Sequence, residues 1–244
     1  MLILCMTRFS IFDPSRPMGW NITRQHTTAE SYRAALFSPR RLALKFGCFE
    51  GVTAASMRSQ KVKPGDRLRW VIIASSHMPE PWRERLERVA RETAADAPSR
   101  VEVRLVWVDN MHGWVAARAA AVARVREEVG AAFATVRLDD DDGLGPLFCA
   151  KLSSYGANAG EIISFPKGHT FSATLNADGA TVTFRRLRDV NKPYTALGLS
   201  RISDDIYAAG NHQKLKDKFR TRLDHSADMY ALCCSEACDT KRSG

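Results

Sequence analysis

The stretch Ala134-Thr-Val-Arg-Leu-Asp-Asp-Asp-Asp-Gly143 decides how the rest of the chain is read. A short β-prone run ends there in four consecutive carboxylates and a glycine. Four adjacent acids repel one another, so something cationic is expected to compensate them. If Val136 and Leu138 continue a buried strand, period-2 alternation puts Asp139 and Asp141 on one side of the chain. Two carboxylates at the carboxyl end of a strand make a hard-oxygen site suited to Mg²⁺ or Mn²⁺ carrying a phosphorylated ligand. The competing reading is a solvated acidic turn that caps the next helix.

Toward the amino terminus, strand and helix signals alternate. Leu2 to Phe12 reads as a strand with Arg8 near its end, followed by a turn-rich loop, Asp13-Pro-Ser-Arg-Pro-Met-Gly19. Ser38-Pro39 offers a helix cap and a first-position proline, and Leu42, Phe46, Phe49 and Val52 recur at helical spacing to about Gln60. Leu68 to Ser75 is an apolar strand. Pro79 opens a helix with Trp82, Leu86, Val89 and Ala90 on one stripe, and Val101 to Asp109 is a third strand. Trp114 to Phe133 predicts a helix burying Val115, Ala119, Val122, Val125 and Val129.

This β-α-β-α-β-α-β order predicts an α/β fold with a mostly parallel sheet and right-handed crossovers. Ligands of such sheets bind beyond the carboxyl ends of the strands, where Arg8, Ser75, Asp109 and the acids meet. After Gly143 the pattern turns antiparallel and mixed. Pro146 to Ser154 suggests a short helix and Glu161 to Phe165 a strand. Phe171 to Leu175 and Thr181 to Leu187 predict a hairpin across Asn176-Ala-Asp-Gly179. Asn211 to Arg222 is basic and helix-prone, and a disordered tail is expected beyond Thr240. With no strong linker, the expectation is one domain, 1–143 binding the ligand and 144–240 forming the other side of the site.

A chain of 244 residues, 45% apolar and 26% charged, is long enough to bury a core. No apolar run approaches the ~20 residues that span a bilayer. The opening Met1-Leu-Ile-Leu-Cys-Met6 is too short for a signal peptide and reads as the first strand. Cys5, Cys48 and Cys149 sit in apolar stretches, and Cys233, Cys234 and Cys238 lack a matching zinc half-site. A reduced, cytoplasmic setting follows as the expectation. The net charge of +9 suits nucleic acid, anionic headgroups or phosphorylated substrates. The arginines are spread out and no nucleic-acid motif is present, so nucleic acid is not expected. Peripheral contact with the inner membrane through a basic surface stays open.

Four segments together resemble the rhamnosyltransferase family: Thr7-Arg-Phe-Ser10, Pro39-Arg-Arg-Leu-Ala-Leu-Lys-Phe-Gly-Cys-Phe-Glu50 with Ser56 and Gln60, Trp70-Val-Ile-Ile-Ala-Ser75, and Arg137-Leu-Asp-Asp-Asp-Asp-Gly-Leu144. The resemblance covers about residues 1–150 well and the remainder loosely. It implies a GT-A-like glycosyltransferase that moves a sugar, rhamnose by the family's name, from a nucleotide-sugar donor to a glycan or other hydroxyl acceptor. The Asp-x-Asp motif of such enzymes maps onto Asp139 and Asp141, with Mn²⁺ or Mg²⁺ gripping the diphosphate. Arg8, Ser75, Asp109, Asp139 and Asp140 make up the implied nucleotide-sugar-binding set. Asp142 completes the metal site or caps a helix, and a late histidine, His212 or His225, is the further ligand. For an inverting reaction, Asp204 or Asp205 stands where the general base is kept, with a helix N-cap as the competing role. His169 reads as a loop residue.

Two other classes compete. A Mg²⁺-dependent phosphohydrolase would use the same acids, but aspartyl-nucleophile phosphatases usually carry Asp-x-Asp on the first strand, and here it follows the fourth. A non-catalytic basic module would bind RNA or membrane with strong salt sensitivity. A calcium loop is excluded by spacing.

Overall fold

The computed structural model describes residues 1–15, 28–96, 101–156 and 159–234. Most of the Asp13–Gly19 loop, Cys238 and the tail beyond Thr240 lie outside them.

Strand β1 (Leu2–Phe9) is almost wholly buried, and it is central. It pairs in parallel with β2 (Arg67–Ser75) on one side and β4 (Phe133–Arg137) on the other; β3 (Val101–Val108) pairs in parallel with β2. Period-2 alternation sends Ile3, Cys5 and Phe9 into one core, while Leu2, Leu4 and Met6 enter a second. A parallel sheet covered on both faces requires such a continuous apolar run.

Helix α1 (Ala29–Leu36) starts in a capping box in which Thr28 and Ser31 serve each other's backbone. Helix α2 (Pro39–Cys48) starts with proline in its first turn, although Ser38 makes no side-chain cap. It continues through a π-helical stretch, Phe49–Ala54, into α3 (Ala55–Arg58), so the expected helix to about Gln60 is one continuous rod with a widened middle. Gln60 is buried; its amide donates to the Gly145 carbonyl at 2.9 Å and accepts the Cys149 N–H at 3.2 Å, fixing the chain just after the acids.

Helix α4 (Trp82–Asp96) begins later than Pro79. Helix α5 (Met111–Val129) begins earlier than expected because the Asn110 side chain caps the Gly113 N–H at 3.0 Å. Its buried stripe is Met111, Trp114, Arg118, Val122 and Val125, which corrects the expected face: Val115 and Ala119 are exposed.

The second half supplies β5 (Gly143–Leu144), α6 (Phe148–Leu152), β6 (Ile162–Ser164), β7 (Lys167–Leu175), β8 (Val182–Asn191), β9 (Ser200–Ile202), β10 (Thr221–Leu223) and β11 (Tyr230–Cys233). The main sheet has seven strands in the order β10-β6-β9-β4-β1-β2-β3, and only β9 runs against the others. The protein is thus mixed α/β with a large, mostly parallel sheet whose strands come from both sides of residue 143. A second sheet, β5-β11-β7-β8, holds the predicted hairpin, with β7 and β8 longer than expected.

The basic run 211–222 is not an α-helix. His212–Asp217 forms 3₁₀ turns, and the chain then enters β10. Leu215 is buried while Lys214, Lys216 and Lys218 are exposed, so the segment has no apolar helical stripe to bury. Among the described residues, no helix is long and apolar enough to cross a membrane.

Candidate active site

The four acids do not extend β4. The strand ends at Arg137, and the Asp142 N–H closes a turn onto the Asp139 carbonyl at 3.3 Å. This corrects the expectation that strand alternation aligns Asp139 with Asp141. A turn brings the carboxylates together instead, three of them buried. Together they line a cavity of about 350 Å³ at the carboxyl ends of β1 and β4, with Arg8, Lys45, Arg137, Thr195, His212 and Cys233 among its other walls.

Protein cations compensate the acids. Lys45 is 1% exposed, and its ammonium reaches Asp140 at 2.9 Å. Arg137 grips Asp139 through two bonds of 3.2 and 3.3 Å and stacks over Tyr207, whose hydroxyl donates to the Met6 carbonyl. Arg8 stands 5.9 Å above the Trp114 ring. Burial pushes the Asp139 carboxyl up, but the charges of Arg137 and Arg8 outweigh it and hold the group below the usual range. Asp142 goes the other way. Burial, then the charges of Asp141 and Asp139, push it well above the usual range, although it accepts the Cys233 N–H at 2.7 Å.

Backbone geometry shapes the floor. Ser10, just past β1, has φ of 45°, a left-handed conformation that costs free energy in a residue other than glycine and often marks a functional site. His212 donates from Nδ1 to the Tyr194 carbonyl at 2.8 Å. That bond keeps the Nδ1 proton turned away from the acids, so that in the neutral ring the lone pair is on Nε2.

Of the sequence-predicted residues, the cavity gathers Arg8, Asp139, Asp140, Asp141, Asp142 and His212. Ser75 is buried and accepts the Phe12 and His77 N–H groups, while Asp109 is exposed and accepts the Ser76 hydroxyl; neither lines the cavity. His225 is exposed and also outside it.

Asp204 and Asp205 are elsewhere too. Strand β9 runs antiparallel to β4, so the chain leaves the cavity at Leu197 and by Ser203 has reached Phe133, at the far end of β4. There Asp204 meets Arg201 at 2.9 Å and Arg126 at 3.4 Å, and Asp205 lies 3.3 Å from Arg118 and caps the Tyr207 N–H. His169 is on β7, not in a loop, between Asp189 and Asp228.

Lys45, Arg137, Ser10, Thr195 and Cys233 are polar cavity residues that sequence reasoning did not assign to the site. Lys45 had a signal. It interrupts Leu42-Ala-Leu-Lys-Phe-Gly-Cys-Phe49 three residues after Leu42 and four before Phe49, on the buried face of the helix. A lysine there needs a carboxylate partner, and four acids needed a cation.

The donors match a hard divalent ion in kind: carboxylate oxygens and one imidazole nitrogen. Among the described residues, no three His, Cys, Asp or Glu side chains already converge on one point. An incoming ion would compete with Arg137 for Asp139 and with Lys45 for Asp140.

No curated protein matches the chain. Solved structures similar to it include mouse xyloside xylosyltransferase 1 in its apo form, at 12% identity and a TM-score of 0.31, covering 68% of this chain and 53% of that one. A 4-diphosphocytidyl-2C-methyl-D-erythritol synthase aligns at 14% identity and a TM-score of 0.37 over 92% and 89% of the two chains. The inositol-1-phosphate CTP transferase from T. maritima aligns at 10% identity and a TM-score of 0.36 over 98% and 91%. The chain thus spans about half the length of the xylosyltransferase. The family model described as "Putative rhamnosyl transferase" matches residues 2–243, nearly the whole sequence, and the chain belongs to that family.

Proposed function

We propose that the protein transfers a sugar from a nucleotide-sugar donor to a hydroxyl group of a glycan or other acceptor, that the sugar is rhamnose, and that the donor sits in the acid-lined cavity. The observation that carries this reading is the meeting of three cations, Arg8, Lys45 and Arg137, with four acids beyond the carboxyl ends of β1 and β4. Family membership supports a transferase. Cys5, Cys48 and Cys149 are buried thiols, which fits the reduced, cytoplasmic setting that this reading adopts.

The chain's own groups divide the work. Arg8, with its guanidinium at the cavity wall, binds the donor diphosphate and offsets charge that grows on the leaving nucleotide. Arg137 and Lys45 hold Asp139 and Asp140 in place, so the site is built before the donor arrives. A divalent Mn²⁺ or Mg²⁺ would be held by Asp139, Asp141, Asp142 and Nε2 of His212, and would supply further neutralisation of the diphosphate. Asp204 and Asp205, bound to arginines behind β9, are not assigned the general base in this reading.

The test is turnover of nucleotide-linked rhamnose against nucleotide-linked glucose, with and without Mn²⁺, on wild type and Arg8→Gln. The reading expects rhamnose-selective release of the nucleotide and a large loss in the variant. Equal turnover of both donors would remove the rhamnose assignment. Equal rates in wild type and variant would remove the cavity assignment.

A further inference from the structure

Residues 185–222 carry ten of the chain's Lys and Arg against four Asp, a surplus of six where the whole chain has nine. The charge lies on two exposed segments. One is β8, the edge of the second sheet among the described residues, bonded there to β7 and exposed along most of its length. The other is the run from His212 into β10.

Arg186 is paired with Asp189, and Arg220 and Arg222 share the buried Glu161 carboxylate. The cations Arg185, Arg188, Lys192, Lys214, Lys216 and Lys218 take part in no ion pair among the described residues, and Asp217 is the acid that interrupts the second segment. Apolar groups accompany them: Leu187 is 50% exposed, Phe184 41% and Leu223 37%, three of the five exposed large hydrophobics of the described chain.

The stretch that follows β8 meets the second segment beside the cavity. The Tyr194 carbonyl accepts from His212, and its hydroxyl meets Thr221 at 3.0 Å. Thr195 and His212 both line the cavity.

Clustered cations interleaved with exposed Leu and Phe are what an anionic bilayer surface selects. The cations gain from the surface potential, and the apolar side chains gain from leaving water at the headgroup boundary. A polyanion in water would reward the charges but not the exposed leucines. We infer that β8 and the 212–222 segment form a docking surface for anionic phospholipid, which brings the cavity to an acceptor held at the membrane. The inference rests on charge and exposure and does not need the transferase reading.

The experiment is co-sedimentation of the full chain with phosphatidylcholine vesicles, with and without phosphatidylglycerol, for wild type, the triple variant Lys214→Gln/Lys216→Gln/Lys218→Gln, and Leu187→Ser. Nucleoside-diphosphate affinity and Tm of each variant are read alongside, and both stay at wild-type values. Wild type binds only the anionic vesicles, and more weakly as salt rises. The triple variant loses about two orders of magnitude in affinity, taken from roughly five-fold per charge. Leu187→Ser loses about ten-fold. Binding to neutral vesicles as tight as to anionic ones, wild-type binding by the triple variant, or displacement of the vesicles by single-stranded RNA would each overturn the inference. A failed vesicle assay with intact nucleotide binding leaves the transferase reading standing.

Discussion

The two ends of the central sheet both carry ion pairs, and they use them differently. At the amino-terminal end, Arg69 on β2 joins Glu102 at 2.7 Å and Glu128 at 2.9 Å, and Arg67 joins Glu128 at 2.5 Å. The acids there keep 40% and 30% of their side-chain surface in water. At the carboxyl end, Lys45 and Asp140 retain 2% and 8%. Arg69 is itself buried, but a pair whose acid stays solvated keeps much of its hydration and contributes less. A buried pair gives up solvation on both partners, so removing one partner strands a charge. The costly arrangement surrounds the cavity, and the cheap one ties strands together.

The largest effect should follow from Lys45→Met. It leaves Asp140 buried without its ammonium and is expected to lower unfolding stability by about 3–5 kcal/mol, measured by urea denaturation. Adding Asp140→Asn should recover much of that loss, because the stranded charge is gone. Additive losses in the double variant would show that the pair is not the cause.

A gain should follow from Asp142→Asn. Burial and its acidic neighbours raise the folded-state value of Asp142. A carboxyl so raised helps stability at pH below its unfolded value, and that help is lost as pH rises toward the folded value. Asparagine keeps an oxygen for the Cys233 N–H and carries no such cost. The variant should therefore match wild type in acid and exceed it near neutral pH. A variant less stable than wild type at pH 7 would break this half of the comparison.

The smallest effect is expected at the other end, from Glu128→Gln. Hydrogen bonding from Arg69 lowers the Glu128 carboxyl. Its contribution is present above the ordinary glutamate value and fades as pH falls through the lowered one. The loss should be about 0.2–1 kcal/mol and shrink with added salt. A loss as large as that of Lys45→Met would erase the distinction between the two ends.

How much of this was legible follows from burial. β1 and β2 are covered on both faces, so their sequences are continuous apolar runs, and both were found within a few residues. Helix α5 was found with Val122 and Val125 correctly buried, but Val115 and Ala119 were placed on the wrong side. Alanine and valine occupy most of its positions, so periodicity could not choose a face; Arg118, buried against Trp114 at 4.8 Å and Asp205 at 3.3 Å, does. The acid run was read as the centre of the candidate site. A turn there stood only as the competing reading, because the bond from the Asp142 N–H to the Asp139 carbonyl leaves no mark in residue type. β9 and β10 are three residues each, too short to show a pattern, whereas the equally short β6 falls inside the strand expected over Glu161–Phe165. His212 and His225 were indistinguishable by spacing, and only the tertiary contact with Tyr194 draws His212 to the cavity.

Calorimetric titration of a nucleoside diphosphate into the folded chain, with and without Mn²⁺, tests the central claim most directly, on wild type and Asp141→Asn. The account predicts saturable binding by wild type that Mn²⁺ strengthens. It predicts loss of that strengthening in the variant, with Tm unchanged or raised. No binding to folded wild type under either condition would contradict it.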